Sequence, residues 1–229
     1  MAGYGDTAVY SCISREIKLP IIPDRRELYR YLGYRRETPD HAMLQRIDDV
    51  IEELNASVTP GFIYRVFPLS FMSEPNADPQ TEPPLICFGG LEIKSSYLYR
   101  NLKGCTDIIL MAATLGIAPD RMVRRASVKS ISKAVIIQAC AAAMVETLCN
   151  NENERFRLEA KENGKALRPR FSPGFGDLSL DLQRDFLNIL DAQKNIGITL
   201  TESMLMTPTK SVTAVIGIYP DEDTTGDAS

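Results

Sequence analysis

Apolar residues return every three or four positions at Met43, Ile47, Val50, Ile51 and Leu54, which predicts a helix with one buried stripe, opened by Thr38 and Pro39. Asp48, Asp49, Glu52 and Glu53 fall off that stripe and read as its solvated face. An earlier, shorter helix is signalled by Asp24 and Glu27, spaced as a capping box, and runs through Tyr31 to a stop at Gly33. Residues 17–19 suggest a short strand ending at Pro20, and Ala8-Val-Tyr10 an edge strand. The pattern turns aromatic and β-branched over residues 61–72, as a strand requires. Residues 73–84 carry four prolines and read as a surface connection, since proline cannot donate to a sheet ladder. Two short strands, 85–88 and 91–93, flank Gly89-Gly90, and Ser96 caps a helix to Leu102 that ends at Gly104.

From Asp107 to Leu115 the run is apolar without alternation, the pattern of a strand buried on both faces. A helix follows over 119–126, and Ser130 opens the longest helical segment. Between Ala134 and Val145 only Gln138 interrupts the apolar series, so this helix is expected to be surrounded on all sides and to form the central core helix. Glu146 closes the run. It is either a helix end reaching water or an acid facing a ligand, because an unpaired charge is not buried cheaply. Residues 150–165 continue as the polar end of that helix and a loop. Leu182, Phe186, Ile189 and Leu190 mark a short amphipathic helix, and residues 199–219 two strands joined around Thr207-Pro-Thr-Lys210, with Val212, Ala214, Ile216 and Ile218 alternating inward. The alternation of buried strands with helices places the chain among mixed α/β (α+β) folds. The expectation is a single domain with a central, largely antiparallel sheet, flanking helices and one long buried helix.

The densest backbone punctuation lies in Leu167-Arg-Pro-Arg-Phe-Ser-Pro-Gly-Phe-Gly-Asp-Leu178. Residues 167–171 read as a short strand, Pro173-Gly174 as a tight turn, and a helix is expected near Ser179. Gly174 and Gly176 let backbone amides approach a ligand, and Arg170 brings a planar, permanently charged fork suited to a carboxylate or phosphate. A surface ion pair on a sharp loop explains the same residues. The Gly-x-Gly spacing does not complete a dinucleotide fingerprint, because the third glycine is missing.

Composition narrows the chemistry. With 229 residues and 44% hydrophobic content the chain supports one large core, and its net charge of −4 argues against nucleic acid or an anionic membrane as main partner. Five cysteines without a Cys-x-x-Cys pair read as reduced, mostly buried thiols of a cytoplasmic protein. His41 is the only histidine and sits in a helix-start signature, so a histidine-based zinc site or nucleophile pair is not expected. Neither a signal peptide nor an apolar run long enough to span a bilayer is expected.

The segment Arg170-Phe-Ser-Pro-Gly-Phe-Gly-Asp177, followed by Leu200-Thr-Glu-Ser-Met-Leu-Met-Thr-Pro-Thr-Lys-Ser-Val212, resembles the activation domain of vitamin B12-dependent methionine synthase, in its stand-alone form. That family carries an Arg-x-x-Pro-Gly-Tyr motif and a Leu-Thr-Glu-Ser segment around one site. Tyr31-Leu-Gly-Tyr34, Tyr64-Arg-Val-Phe-Pro68 and Ala112-Ala-Thr-Leu-Gly116 extend the likeness. The resemblance implies an activation-like domain at 17–219 after an N-terminal segment at 1–16, and the small, acidic residues 220–229 read as a disordered tail.

It further implies S-adenosylmethionine as the cofactor. Arg170 would hold its carboxylate, and Glu146 its ammonium or ribose hydroxyls. The backbone of Pro173, Gly174 and Phe175 would meet the adenosine or methionine atoms, and Glu202 would be a second acid or else a turn residue. Phe175 stands where the family has tyrosine, so stacking survives and a phenolic hydrogen bond does not. Glu159 and Glu162 lie near a further family acid, but their spacing to Arg170 does not match and no role is carried to them.

The implied activity is the supply of a methyl group for reductive methylation of cobalamin carried by a partner methionine synthase, with a flavoprotein as electron donor. The chain itself has no cobalamin-binding Asp-x-His-x-x-Gly motif and would not be self-sufficient as an enzyme. The alternatives are a non-catalytic S-adenosylmethionine sensor and a nucleotide-binding α/β enzyme.

Overall fold

The computed structural model describes residues 13–34, 37–72 and 83–221. The edge strand expected at Ala8-Val-Tyr10, most of the proline-rich connection and the acidic tail lie outside these residues. In chain order the elements begin with β1 (Ile13–Arg15), α1 (Arg25–Tyr31) and α2 (His41–Asn55). The strand falls a few residues before the one expected at 17–19. Asp24 caps α1 by accepting from the N–H groups of Arg26 and Glu27. Glu27 does not complete the capping box: its carboxylate accepts instead from Arg30 and from the Tyr31 hydroxyl. The cap of α2 is Asp40, two positions inside the expected start, and the stripe Ile47, Val50, Ile51 and Leu54 is buried.

The strand expected over 61–72 is two strands, β2 (Gly61–Pro68) and β3 (Ser70–Met72), which pair in different sheets. The break falls at Leu69, whose N–H still bonds the Thr106 carbonyl in the β2–β6 register, and from Ser70 on the chain pairs with β4. The chain continues with β4 (Leu85–Phe88), β5 (Leu91–Ile93), α3 (Ser96–Leu102), β6 (Asp107–Thr114), α4 (Ala118–Lys129), α5 (Ile131–Glu162) and β7 (Lys165–Leu167). Then come α6 (Leu182–Ile189), α7 (Ala192–Ile196), β8 (Thr199–Leu200), β9 (Met206–Thr207) and β10 (Ser211–Pro220). Gly89 and Gly90 both have positive φ, which is what the two-residue turn between β4 and β5 demands. Strand β7 stops at Leu167, short of the expected 171, and α6 starts at Leu182, not near Ser179. The final pair expected over 199–219 is three strands, with β8 and β9 forming a separate ribbon.

The main sheet has the order β1-β2-β6-β10-β7, and every pairing in it is antiparallel. Its middle strand β6 sends Ile109, Met111 and Ala113 to one face and Ile108, Leu110 and Ala112 to the other, all fully buried. On the first face lie α1, α2, α4 and α5; on the second lie the β3-β4-β5 sheet, α3, α6 and α7. Each large apolar side chain taken from water contributes about 1.5–3 kcal/mol, so these two layers carry most of the stability.

The long helix α5 corrects two expectations. It is 32 residues long and, by length and composition alone, apolar enough to cross a membrane, yet 56% of its most apolar stretch is buried inside the fold. Nor is it surrounded on every side: Ile131, Val135 and Gln138 are exposed along one stripe. The sequence pattern could not separate these because an alanine-rich helix has little contrast between its faces.

Candidate functional site

Beyond β7 the chain still follows β10. Phe171 exchanges both backbone hydrogen bonds with Val215, although it lies outside any strand. Phe171 packs into the core on the α6 side. Successive residues of an extended chain alternate sides, so Arg170 faces α5. There its Nη2 donates to Glu146 Oε2 at 3.1 Å and to Asn150 Oδ1 at 2.9 Å. Glu146 and Asn150 are four residues apart on α5 and therefore share a face. That spacing was the signal by which Asn150 could have been found from the sequence. The second terminal nitrogen of Arg170, Nη1, is buried and has no hydrogen-bond partner among the described residues. Behind the pair sits Cys149, whose thiol burial pushes up to about 12, with the Arg170 charge opposing in part. It is packing and not a nucleophile.

The loop after Arg170 is held open by glycine and fixed by one acid. Gly174 and Gly176 have φ of +87° and +60°, and a Cβ on Gly176 would come within 2.8 Å of the Tyr97 ring. Asp177 accepts hydrogen bonds from the Ser95 hydroxyl and from the N–H groups of Ser96 and Tyr97 at the start of α3. Burial opposes ionisation of this carboxyl, but the three donors prevail and hold it below its ordinary value. Pro173 is buried, while Phe175 is 66% exposed with its ring edge-to-face against Phe171 at 5.5 Å. The structure thus brings Arg170 and Glu146 together beside Pro173, Gly174 and Phe175. Glu202 is exposed in the turn between β8 and β9, beside a groove lined by Arg184, Asn188 and Gln193, and makes no contact with Arg170 or Glu146. Glu159 is committed elsewhere, as a partner of Arg15.

No group of three or more histidine, cysteine or acidic residues that could hold a metal occurs among the described residues. Two of the four solvated acids of α2 are engaged in surface ion pairs, Asp48 with Arg25 and Glu53 with Lys133, and Asp49 accepts from the Gln45 amide. His41 is exposed at the start of α2.

The domain is a two-layered α+β fold with an arginine–glutamate pair set between its sheet edge and its longest helix. Residues 95–223 match the family model described as vitamin B12 dependent methionine synthase, activation domain, and the chain belongs to that family. No curated protein matches the chain. Among solved structures it is similar to the crystal structure of the MetH reactivation domain bound to AdoHcy, with a TM-score of 0.65 and 17% identity over 93% of this chain and 79% of that one. At 93% of the chain, the shared fold extends well beyond the residues of the family match.

Proposed function

We propose that this chain binds S-adenosylmethionine at the Arg170–Glu146 pair and presents its methyl group to the cobalt of a corrinoid carried by a partner methionine synthase. The observation that carries the reading is the 3.1 Å Arg170–Glu146 pair with Arg170 Nη1 buried and unmatched. An amino-acid tail is a zwitterion, and a zwitterion is best met by fixed charges of both signs a few ångströms apart. On binding, the Arg170 guanidinium, which still has an unmatched nitrogen, turns to donate to the carboxylate, and Glu146 takes the ammonium. An isolated anion site would need the arginine unpaired, and an isolated cation site would need the glutamate unpaired.

The methionine tail thus sits against α5, and the adenosine extends over the loop at residues 173–175. Phe175 offers an exposed ring face for stacking, and Gly174 leaves its backbone open. Glu202 would join the site only if the turn at residues 201–204 moved toward it. A partner's Co(II) corrinoid, once reduced to Co(I) by one electron from a flavoprotein, would take the methyl from the sulfonium and leave S-adenosylhomocysteine, while Arg170 and Glu146 would hold the amino-acid tail in place. The contribution of this chain is binding and orientation, so neither a general base nor a resident metal is required. The net charge of −4 and the burial of just over half of the most apolar stretch of α5 agree with a cytoplasmic protein that engages neither nucleic acid nor membrane.

Calorimetric titration tests this directly. S-adenosylmethionine and S-adenosylhomocysteine are expected to bind the full chain, and Arg170→Ala to lose at least tenfold in affinity with an unchanged circular dichroism spectrum. Equal affinity in the variant, or tighter binding of NAD or ATP, would overturn the assignment. Reactivation of a B12-dependent methionine synthase that lacks its own activation module separates a methyl-supplying role from that of a sensor, which would bind without restoring turnover.

A further inference from the structure

Two turns before Glu146, the exposed stripe of α5 forms one wall of a second groove. Its volume is ≈ 450 Å³, and Tyr31, Val123, Ile131, Val135, Gln138 and Lys210 line it. Lys210, in the turn that leads into β10, is only 9% exposed, and among the described residues its ammonium has neither an ion pair nor a hydrogen bond. The acid that acts on it electrostatically is Asp120, and that carboxylate already accepts from the Thr209 N–H and hydroxyl. An unmatched ammonium on a largely buried lysine, at the side of an apolar groove, is poorly solvated, and a ligand of opposite charge relieves that.

We propose that this groove is a second ligand site, taking a small monocarboxylate with an apolar body whose carboxylate rests on the Lys210 ammonium. The charge argues for a monoanion. The Tyr31 hydroxyl is spent on Glu27 and the Ser127 hydroxyl on the Val123 carbonyl, which leaves Lys210 and the Gln138 amide as donors. A phosphate or sulfate, with more oxygens to satisfy, finds too few donors here. The remaining wall is alkyl, and from Val135 to Ala142 the helix spans about 10 Å, the length of an eight-carbon chain. Burial lowers the affinity of the Lys210 amine for its proton, with Asp120 opposing, and a bound carboxylate reverses that loss. The site is distinct from the pair at Arg170, since Gln138 and Glu146 are eight residues and so about 12 Å apart along α5.

Titration of the full chain with octanoate and with octanol tests the proposal. Octanoate is expected to bind at least tenfold more tightly than octanol. Lys210→Met should abolish that preference while leaving S-adenosylmethionine affinity unchanged, and Lys210→Arg should retain part of it. A second variant, Val135→Glu, changes a residue that is 51% exposed and need not disturb the core. It should weaken octanoate through like-charge repulsion more than it weakens octanol. Equal affinity for acid and alcohol, no binding of either, an unaltered preference in Lys210→Met, or one-for-one competition between octanoate and S-adenosylmethionine would each overturn it. Failure of S-adenosylmethionine to bind at all bears on the Arg170 site and leaves these outcomes readable.

Discussion

At Arg170 the question is how much of the interaction is charge and how much is shape. One terminal nitrogen serves two acceptors on α5 while the other is held free, a division that only a planar fork permits. A lysine keeps the charge but has one nitrogen for three acceptors. In Arg170→Lys, S-adenosylmethionine affinity is therefore expected to fall about tenfold or more, corresponding to one lost charge-assisted hydrogen bond of about 1.5–3 kcal/mol. Thermal stability should change little, because Glu146 and Asn150 remain partly open to water. Calorimetry beside a thermal melt checks both halves. An affinity within twofold of the wild type would mean that charge alone suffices and that the free Nη1 edge is irrelevant.

Among elements, the segment 170–178 depends on α3, a helix some eighty positions earlier in the chain. Asp177 supplements the Ser95 cap by accepting from the next two N–H groups, so one carboxylate both completes a helix start and fixes the bend that carries Gly174 and Phe175. Asp177→Asn keeps the size but not the charge, and should lower the thermal midpoint by an amount equivalent to about 1 kcal/mol. Because the carboxyl is held below its ordinary 3.8, its contribution is complete above that pH and is lost as pH falls through the still lower native value. Melts of the two proteins from about pH 7 to about pH 3 should therefore converge at the acid end, and a gap that widens there would refute the sign.

This contact also marks where sequence reading stops. Helices α2 and α5 and the β4–β5 hairpin follow from local spacing and from Gly89-Gly90, and Arg170 and Glu146 stand out by charge against apolar surroundings. The division of 61–72 into two strands depends on β4 offering residues 70–72 a partner in a second sheet. The role of Asp177 depends on α3, and that of Lys210 on a groove between three elements. None of these leaves a periodic trace, because each is decided by what another part of the chain brings.

For the molecule as a whole, the first edge of the sheet and the far half of α5 are joined by a buried arginine. The Arg15 side chain is 8% exposed and lies over the rings of Tyr64 and Phe156 at 4.9 and 4.6 Å. It donates to both oxygens of Glu159, while its Nη1 stands 3.5 Å from Glu152 Oε2 without a hydrogen bond. Glu152 is 3% exposed and lies only six residues beyond Glu146, so the same helix presents the ligand site and this clasp. Removing the arginine leaves the buried Glu152 with only the half-exposed Arg155, on its other oxygen. Arg15→Met is expected to cost about 3 kcal/mol in urea denaturation. Replacing both partners by apolar residues is a different perturbation, since Glu159 is 41% exposed and can turn to water. Arg15→Met with Glu152→Leu should recover most of that loss while S-adenosylmethionine affinity stays near wild type. If the double variant is as unstable as the single one, the arginine is acting through its stacking on Tyr64 and Phe156, and the charge on α5 is incidental to how β1 is held.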